Sequence, residues 1–257
     1  MTTAALTALS WHTAVHHLLR SARAGEESLF LVGPPGTGKS EIVARHVAGD
    51  VDLTEQEKSR VVLDVLLGRA HAPAALLTAI LGAARQPISA RLRRKGTTYL
   101  LQHVADWLTK KNIGAVALDE VQHTSPDALF HAMLLVDTCQ REYGHALGLV
   151  LIGTPNATTI VRETGQMGQR VPITFAVPLL GPDELVALCK ARPRLAALLK
   201  EIGARRTEAL LRLIVGKVAG SMRRLVQILS RAERLADLAG TRLTEAQVQV
   251  AVGMQED

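Results

Sequence analysis

Aromatic residues and cysteines are both scarce in this chain of 257 residues. Only two Trp, two Tyr and three Phe are present, which argues against stacking of bases on Phe or Tyr as a way to bind single-stranded nucleic acid. The two cysteines, Cys139 and Cys189, have neither the spacing of a metal site nor the number needed for a disulfide framework. This usage fits a reducing compartment.

The sequence also lacks long hydrophobic runs. No apolar stretch reaches the ~18 residues that a transmembrane helix requires. Residues 1–23 contain no basic segment followed by an apolar block, so they do not have the pattern of a secretory signal. These absences predict a cytoplasmic protein that has no membrane as a partner.

Apolar residues, in contrast, make up 47% of the chain and are mostly Ala, Leu and Val. That content is enough for one large α/β core and a smaller second domain. The formal net charge is +6 and is unevenly distributed, since residues 190–242 contain 13 Lys or Arg but only four Asp or Glu. A basic end of this kind indicates either a nearby polyanion or an arginine-rich solvated surface, and the sequence alone leaves both open.

The strongest motif spans residues 33–40, which read GPPGTGKS and match the phosphate-binding pattern G-x-x-x-x-G-K-[ST]. The glycines are expected to adopt backbone conformations that a Cβ would forbid, so that successive N–H groups turn toward an anion; the following helix adds its positive end. We predict that Lys39 binds the β- and γ-phosphates of ATP and that the Ser40 hydroxyl holds Mg²⁺. The predicted nucleotide-binding residues are Gly33, Pro34, Pro35, Gly36, Thr37, Gly38, Lys39 and Ser40.

Strands and helices alternate on both sides of this loop. Apolar runs predict five strands, at residues 28–32, 61–67, 114–118, 147–152 and 172–177. Helical signals predict helices at residues 6–23, 41–48, 73–84, 97–111 and 125–143. The alternation predicts an α/β fold in which helices cover both faces of a five-stranded parallel sheet.

Only helical patterns follow residue 181, and they occur at residues 182–191, 194–202, 206–219, 222–239 and 244–252. Pro182, Asp183 and Glu184 form a favourable helix start. The sequence therefore predicts a nucleotide-binding α/β domain over residues 1–180 and a small all-α domain over residues 181–257.

Polar residues end the third and fourth predicted strands, at the sheet edge where the phosphate loop is also expected. Asp119 is predicted to act on Mg²⁺, and Glu120 to orient or activate the attacking water. If the fourth strand lies beside the third, Thr154, ahead of Asn156, would face the γ-phosphate. The alternative is an ordinary turn in which Asn156 caps the next helix.

Three arginines are candidates for contacts with the γ-phosphate. Arg223 follows Gly220 and Ser221 at the start of a helix in the all-α part, and it could fold back over the nucleotide. Arg170 precedes the fifth strand and could act as a finger on the nucleotide of a neighbouring subunit, with Arg162 as its competitor. A plain surface arginine is the alternative for Arg170.

Together, these motifs resemble those of the AAA+ ATPases. The phosphate loop, the acidic pair Asp119 and Glu120, a polar end to the fourth strand, an arginine before the fifth and GSMR at residues 220–223 occur in that family's order. The resemblance covers nearly the whole chain. It implies a P-loop AAA+ core followed by a helical lid, ATP and Mg²⁺ as cofactors, and hydrolysis of ATP.

A finer resemblance is to the TnsC/TniB group of transposition regulator ATPases. It is carried by LDEVQH at residues 118–123, IGTPN at 152–156 and RRLVQ at 223–227. This chain departs from that group at Val121, where Ala is usual, and at Val171, where Phe often follows the finger arginine. The resemblance implies a homo-oligomer, as a ring or helical filament, which assembles on duplex DNA and recruits a TniQ-like target selector and a DDE-type transposase.

A basic run lies between the two nucleotide motifs, in an insert where related ATPases place DNA-contacting residues. Binding without sequence preference needs cations along the phosphates, which hydroxyl groups can assist. We therefore predict contacts with double-stranded DNA from Arg91, Arg93, Arg94, Lys95, Thr97, Lys110 and Lys111. A solvated loop is the alternative.

Other functions remain open at this stage. An IstB-like, helicase-loader or replication-initiator ATPase would share the nucleotide motifs. A nucleotide-switched protein scaffold would bind ATP without responding to DNA. A protein-remodelling chaperone is disfavoured because no aromatic pore loop has a credible position, residues 98–100 being the nearest candidate.

Overall fold

The computed structural model describes residues 11–49, 53–68, 72–87, 95–165, 171 and 173–254. Five strands lie within these residues: β1 Leu29–Val32, β2 Val61–Leu66, β3 Ile113–Asp119, β4 Gly148–Gly153 and β5 Ile173–Ala176. The same residues contain twelve α-helices: α1 His12–Ala24, α2 Lys39–Ala48, α3 Glu55–Ser59, α4 Pro73–Ala83, α5 Thr97–Lys110, α6 Pro126–Tyr143, α7 Ala157–Glu163, α8 Pro182–Lys190, α9 Pro193–Glu201, α10 Ala204–Val218, α11 Met222–Leu238 and α12 Glu245–Gly253. None of these helices is both long enough and apolar enough to cross a membrane.

The strands form one parallel sheet in the order β2-β3-β4-β1-β5, which confirms the predicted five-stranded parallel sheet. Strand β4 pairs with β3 on one side and with β1 on the other. Every residue of β3 and β4 is buried, because helices cover both faces of a parallel sheet and its central strands are apolar throughout. This order brings the ends of β1, β4 and β3 to adjacent places at one edge.

The contacts within the chain define two compact units. The sheet unit contains the described residues within 14–33 and 39–177, and the helical unit contains the described residues within 11–13, 34–38 and 178–254. In the sheet unit, α4, α5 and α6 bury apolar side chains such as Leu77, Leu108 and Leu129 in one core. In the helical unit, α11 packs along α12 and buries Leu225 and Ile228.

Two short helices were not predicted. Helix α3 begins with a capping box, in which the Thr54 side chain and the Glu57 side chain each accept from the other residue's backbone N–H. This pairing is a recognisable sequence signal, so α3 could have been predicted. Helix α7 follows Asn156 directly and is rich in β-branched residues, whose low helix propensity hides it. Helix α2 begins at Lys39, within the phosphate-binding pattern.

Two arginines, Arg23 and Arg60, make hydrogen bonds between α1 and neighbouring segments of the sheet unit. The Arg23 guanidinium donates to the carbonyl oxygens of Arg60 at 2.7 Å and of His46 at 2.9 Å. In return, Arg60 donates to the carbonyl oxygens of Ala24, at 2.6 Å, and of Ala146. These bonds provide partners for carbonyl groups near the ends of α1, α2 and α3 and in the segment before β4.

The buried His46 is expected to make the free energy of unfolding depend on pH. His46 of α2 is 1% exposed, and neither ring nitrogen has a hydrogen-bond partner among the described residues. Burial and, after it, the charge of Arg23 lower the pKa of His46 to about 3 from its ordinary value of 6.5. Below pH 6.5 the unfolded chain therefore binds a proton that the folded chain refuses, and the free energy of unfolding falls by at most about 1.4 kcal/mol per pH unit.

We expect His46→Leu to reduce this acid sensitivity. Between pH 7 and pH 5 the variant should lose about 2 kcal/mol less of its unfolding free energy than the wild-type protein. Guanidinium chloride unfolding at both pH values measures the difference. The exposed His103, changed to Leu, is the matched control. Equal pH dependence in wild type and His46→Leu would contradict the expectation.

Candidate nucleotide site

The phosphate loop begins where β1 ends. The Gly33 N–H donates to the carbonyl oxygen of Gly153, at 3.2 Å, at the end of β4. A side chain at Gly33 would run into the carbonyl oxygen of Val177. Gly33 is not among the residues with positive φ, so the close approach of the Val177 backbone, and not a left-handed conformation, is what excludes a Cβ at this position.

The tip of the loop does have the predicted glycine conformations. Gly36 has φ +80° and Gly38 has φ +97°, values that disfavour residues with a Cβ. The buried Thr37 lies between them, and its hydroxyl donates to the carbonyl oxygen of Pro34 at 3.1 Å. The tip therefore has the shape of a concave run of backbone groups that can receive an anion.

By its contacts, the tip belongs to the helical unit, in which it packs against the start of α11. The Arg223 N–H donates to the carbonyl oxygen of Gly36 at 3.1 Å. A Cβ on Gly36 would lie 2.6 Å from the Ser221 hydroxyl, and a Cβ on Gly38 would lie 2.9 Å from the Met222 sulfur. The structure thus brings the predicted Arg223 to the loop tip through its backbone, while its side chain is exposed.

Lys39 and Ser40 form the first turn of α2. Lys39 is 7% exposed, and its Nζ donates to the carbonyl oxygen of Gly33 at 2.9 Å. Ser40, in contrast, is exposed. A buried ammonium at the loop and an accessible hydroxyl beside it are the groups that a nucleotide phosphate and its Mg²⁺ require, so these residues fit that ligand.

The acidic pair follows β3 at the same edge of the sheet. Asp119 is 8% exposed, and its Oδ1 accepts the backbone N–H of Glu120 at 2.8 Å. The Glu120 backbone has φ +63°, a left-handed conformation that is uncommon for a residue with a side chain. Strained backbone of this kind is concentrated at functional sites. The Glu120 side chain is 38% exposed and so is open to solvent.

Thr154 stands directly after β4, between the ends of β1 and β3. The condition set for its predicted role, that β4 lies beside β3, therefore holds. Asn156 does stand at the N-cap position of α7, as the alternative predicted, but its side chain makes no capping hydrogen bond there. The role of Thr154 toward a γ-phosphate stays a prediction.

Two residues near this edge were not among the predicted site residues. Gln122 donates from Nε2 to Glu120 Oε2, and its Oε1 accepts the Thr154 N–H at 3.2 Å. Asp64 of β2 lies opposite Ala117, two residues before Asp119. Desolvation and, after it, the charge of Asp119 raise the pKa of the Asp64 carboxyl. Asp64 is the one acidic residue in the apolar run of β2, and this could have indicated it. No spacing rule, in contrast, reveals the two contacts of Gln122.

Neither cysteine is poised for chemistry. Cys139 and Cys189 are buried, and burial raises the pKa of each thiol to about 12. In the part of the chain that the structure describes, no three His, Cys, Asp or Glu side chains are grouped for a metal ion. Mg²⁺ at nucleotide sites uses only one or two protein groups besides the phosphates, which matches Ser40 and Asp119.

Several predicted residues lie outside the described residues, namely Arg91, Arg93, Arg94 and Arg170. The competitor Arg162 lies in the last turn of α7 and is exposed. Which of the two arginines acts as a finger stays a prediction.

The described candidates for DNA contact occupy both ends of α5. Lys95 is exposed, and its Nζ lies 4.1 Å from the centroid of the Tyr99 ring. Thr97 begins the helix, and the preceding residue, Gly96, has no side chain that could cap its first turn. Lys110 and Lys111 lie at the other end, about 20 Å away at 1.5 Å per residue. Lys110 is partly neutralised by Asp106, whose carboxylate lies 2.7 Å from its Nζ.

The basic stretch of residues 190–242 is partly compensated by ion pairs. Arg194 pairs with Asp237 at 2.7 Å, and Arg212 pairs with Glu208 at 2.6 Å. These pairs are exposed, so they contribute little stability. They reduce the positive field of this surface, which favours the solvated interpretation for part of it.

Several solved structures have a fold similar to that of this chain. The solved structure of the Aeropyrum pernix ORC2 protein in ADPNP–ADP complexes is similar with a TM-score of 0.70 and 21% identity, over 96% of this chain and 66% of that one. The Aeropyrum pernix ORC1 protein in complex with DNA gives 0.64 and 18%, over 95% and 65%. Cdc6p from Pyrobaculum aerophilum gives 0.62 and 17%, over 90% and 62%. The chain thus spans just under two thirds of the length of these proteins.

Identities this low show a common fold and nothing more about activity. Among functionally curated proteins, none matches this sequence. A family model described as "AAA domain" matches residues 22–161, which is more than half of the chain. The match includes the phosphate loop, the acidic pair and Thr154. On this evidence, and on the fold and loop geometry, the chain belongs to the AAA domain family.

Proposed function

We propose that this chain is an ATPase that binds double-stranded DNA without sequence preference when ATP occupies its phosphate loop. The observation that carries the proposal is the convergence of Lys39, Ser40, Asp119, Glu120 and Thr154 at one edge of the sheet. Bound ATP with Mg²⁺ supplies the scissile γ-phosphate. Lys39 and the loop hold the phosphates, Asp119 and Ser40 hold the ion, and Glu120 orients or deprotonates the attacking water.

The start of α5 supports the DNA-binding part of the proposal. Lys95, the Thr97 hydroxyl and the positive end of α5 together offer a phosphate-binding group of the kind that contacts DNA backbones. The contact reads charge rather than base edges, so no sequence preference is expected. That the similar Aeropyrum pernix ORC1 protein was solved in complex with DNA agrees with this proposal.

Fluorescence anisotropy with two unrelated duplexes, in the presence of ATP or ADP, tests the proposal. ATP is expected to tighten binding to both duplexes equally, and rising salt to weaken it steeply. Absence of DNA binding with either nucleotide would overturn the DNA-binding function and leave a nucleotide-switched scaffold as the better account.

We expect Lys95→Ala to weaken DNA binding about fivefold at 0.15 M salt and to reduce the salt slope by about 0.9, as loss of one phosphate contact does. Lys58→Ala removes one exposed, ion-paired charge from α3 and is the matched control. Equal effects of the two substitutions would show that Lys95 makes no specific contribution. A titration at several salt concentrations measures both quantities.

Regulation of transposition is the more specific task that we propose for this activity. Its support is the resemblance of residues 118–123, 152–156 and 223–227 to the TnsC/TniB ATPases. In this role the protein assembles as a homo-oligomer on DNA and links a TniQ-like target selector to a DDE-type transposase.

A second candidate is a role of the replication-initiator or helicase-loader type. It is favoured by the fold, since the ORC and Cdc6 structures match across at least 90% of this chain. The two tasks differ in partner. ATP-loaded protein on DNA beads should retain the transposase and selector from the same organism under the first proposal. Retention of the replicative helicase instead would favour the second.

A further inference from the structure

The Gln122 side chain lies in the short 3-10 turn that follows the acidic pair, and it joins two residues of the candidate site. Its Nε2 donates to Glu120 Oε2. Its Oε1 accepts the backbone N–H of Thr154 at 3.2 Å. One amide group thus connects the end of β3 to the end of β4.

The orientation of this amide follows from its partners. The Thr154 N–H can only donate, so the oxygen of Gln122 must face it. The nitrogen of Gln122 then faces the carboxylate of Glu120, which accepts. A flipped amide would place its oxygen against that carboxylate and its donors against the N–H, and both contacts would be repulsive.

The surroundings leave room for Gln122 in this place. A Cβ on Gly153 would lie 3.1 Å from Gln122 Oε1 and 2.6 Å from the Ala157 Cβ. Glycine at the end of β4 therefore allows the amide to reach the main chain. The neighbouring groups that carry or can carry charge are Asp119, whose Oδ1 accepts the Glu120 N–H, and His123, whose Nε2 lies 4.0 Å from Glu120 Oε2.

We infer that Gln122 is a positioning residue for hydrolysis: it fixes the Glu120 carboxylate against the main chain of Thr154, on the side of β4. This inference rests on the proposed ATPase function, in which Glu120 acts on the attacking water. Glu120 has a left-handed backbone and a partly exposed side chain, so the carboxylate needs a second support to keep one direction. Gln122 provides that support. Because its Oε1 accepts the Thr154 N–H, the direction of the Glu120 carboxylate depends on the position of the end of β4.

The test compares wild type with Gln122→Leu, which removes both polar contacts at nearly constant size, and with Gln122→Glu, which can still accept from Thr154 but repels Glu120. Both variants are expected to lower kcat for ATP hydrolysis roughly ten- to a hundredfold, with KM within about twofold of wild type. Gln122→Asn, in which the amide is retained on a shorter stem, should recover part of the activity.

Several outcomes would overturn the inference. Unchanged or increased kcat in Gln122→Leu would show that the contact does not orient Glu120 for catalysis. A change in KM alone would assign Gln122 to binding. Additive effects of Gln122→Leu and Glu120→Gln in the double variant would show that the two residues act independently. Absence of turnover in the wild-type protein would overturn the proposed ATPase function itself, and with it the role of Gln122, whereas normal wild-type turnover that Gln122→Leu leaves intact overturns only that role.

Discussion

Glu120→Gln is expected to lower kcat for ATP hydrolysis about 10²- to 10⁴-fold while ATP affinity stays nearly constant. The glutamine keeps the size of the side chain but cannot accept a proton from water, which is the contribution of a general base. Lys39, Ser40 and the loop are untouched, so binding of the phosphates is preserved. Steady-state phosphate release gives kcat, and titration with a fluorescent ATP analogue gives Kd.

The matched control is Glu55→Gln, which removes one exposed carboxylate from α3. It should leave both kcat and Kd unchanged. If Glu120→Gln hydrolyses ATP within about threefold of wild type, Glu120 is not the base, and Asp64 becomes the next candidate carboxylate at this edge. Because Glu120→Gln should trap the ATP-bound protein, it should also prolong DNA binding in the presence of ATP.

Lys39→Ala is expected to raise the Kd for ATP about 100-fold or more. The ammonium is predicted to contact both the β- and the γ-phosphate, and each charge-assisted hydrogen bond contributes about 1.5–3 kcal/mol. Isothermal titration calorimetry measures the loss directly. A thermal shift reports it a second time, because ATP at about 100 times Kd stabilises a binding-competent protein by about 2.7 kcal/mol.

The folding of this variant must be checked, since Lys39 is 7% exposed and bonds the carbonyl oxygen of Gly33. Its loss leaves that carbonyl with one bond fewer, at a cost of about 1 kcal/mol. The circular dichroism spectrum without nucleotide should match that of wild type, and the exposed Lys200→Ala serves as the control for loss of one charge. A folded Lys39→Ala protein that binds ATP as tightly as wild type would contradict the assignment of the phosphate loop.

Much of the sheet unit was predictable because its signals are local. β3 and β4 are continuous apolar runs, which is the pattern of central strands in a parallel sheet. The helix starts at Pro73, Pro126 and Pro182 were indicated by proline at the first helical position. Helix α7 escaped because Thr158, Thr159 and other β-branched residues there favour strands when read locally.

The sequence by itself determined the phosphate loop, the acidic pair and the identity of five strands, since glycine placement and apolar period are properties of neighbouring residues. Only the tertiary structure decided that β4 lies between β1 and β3, that Gly33 is needed for its approach to Val177, and that Gln122 joins Glu120 to Thr154. The physical reason is distance along the chain. Strand order and side-chain contacts depend on pairings between residues tens of positions apart, and no local spacing encodes which of the sterically possible pairings has the lowest free energy.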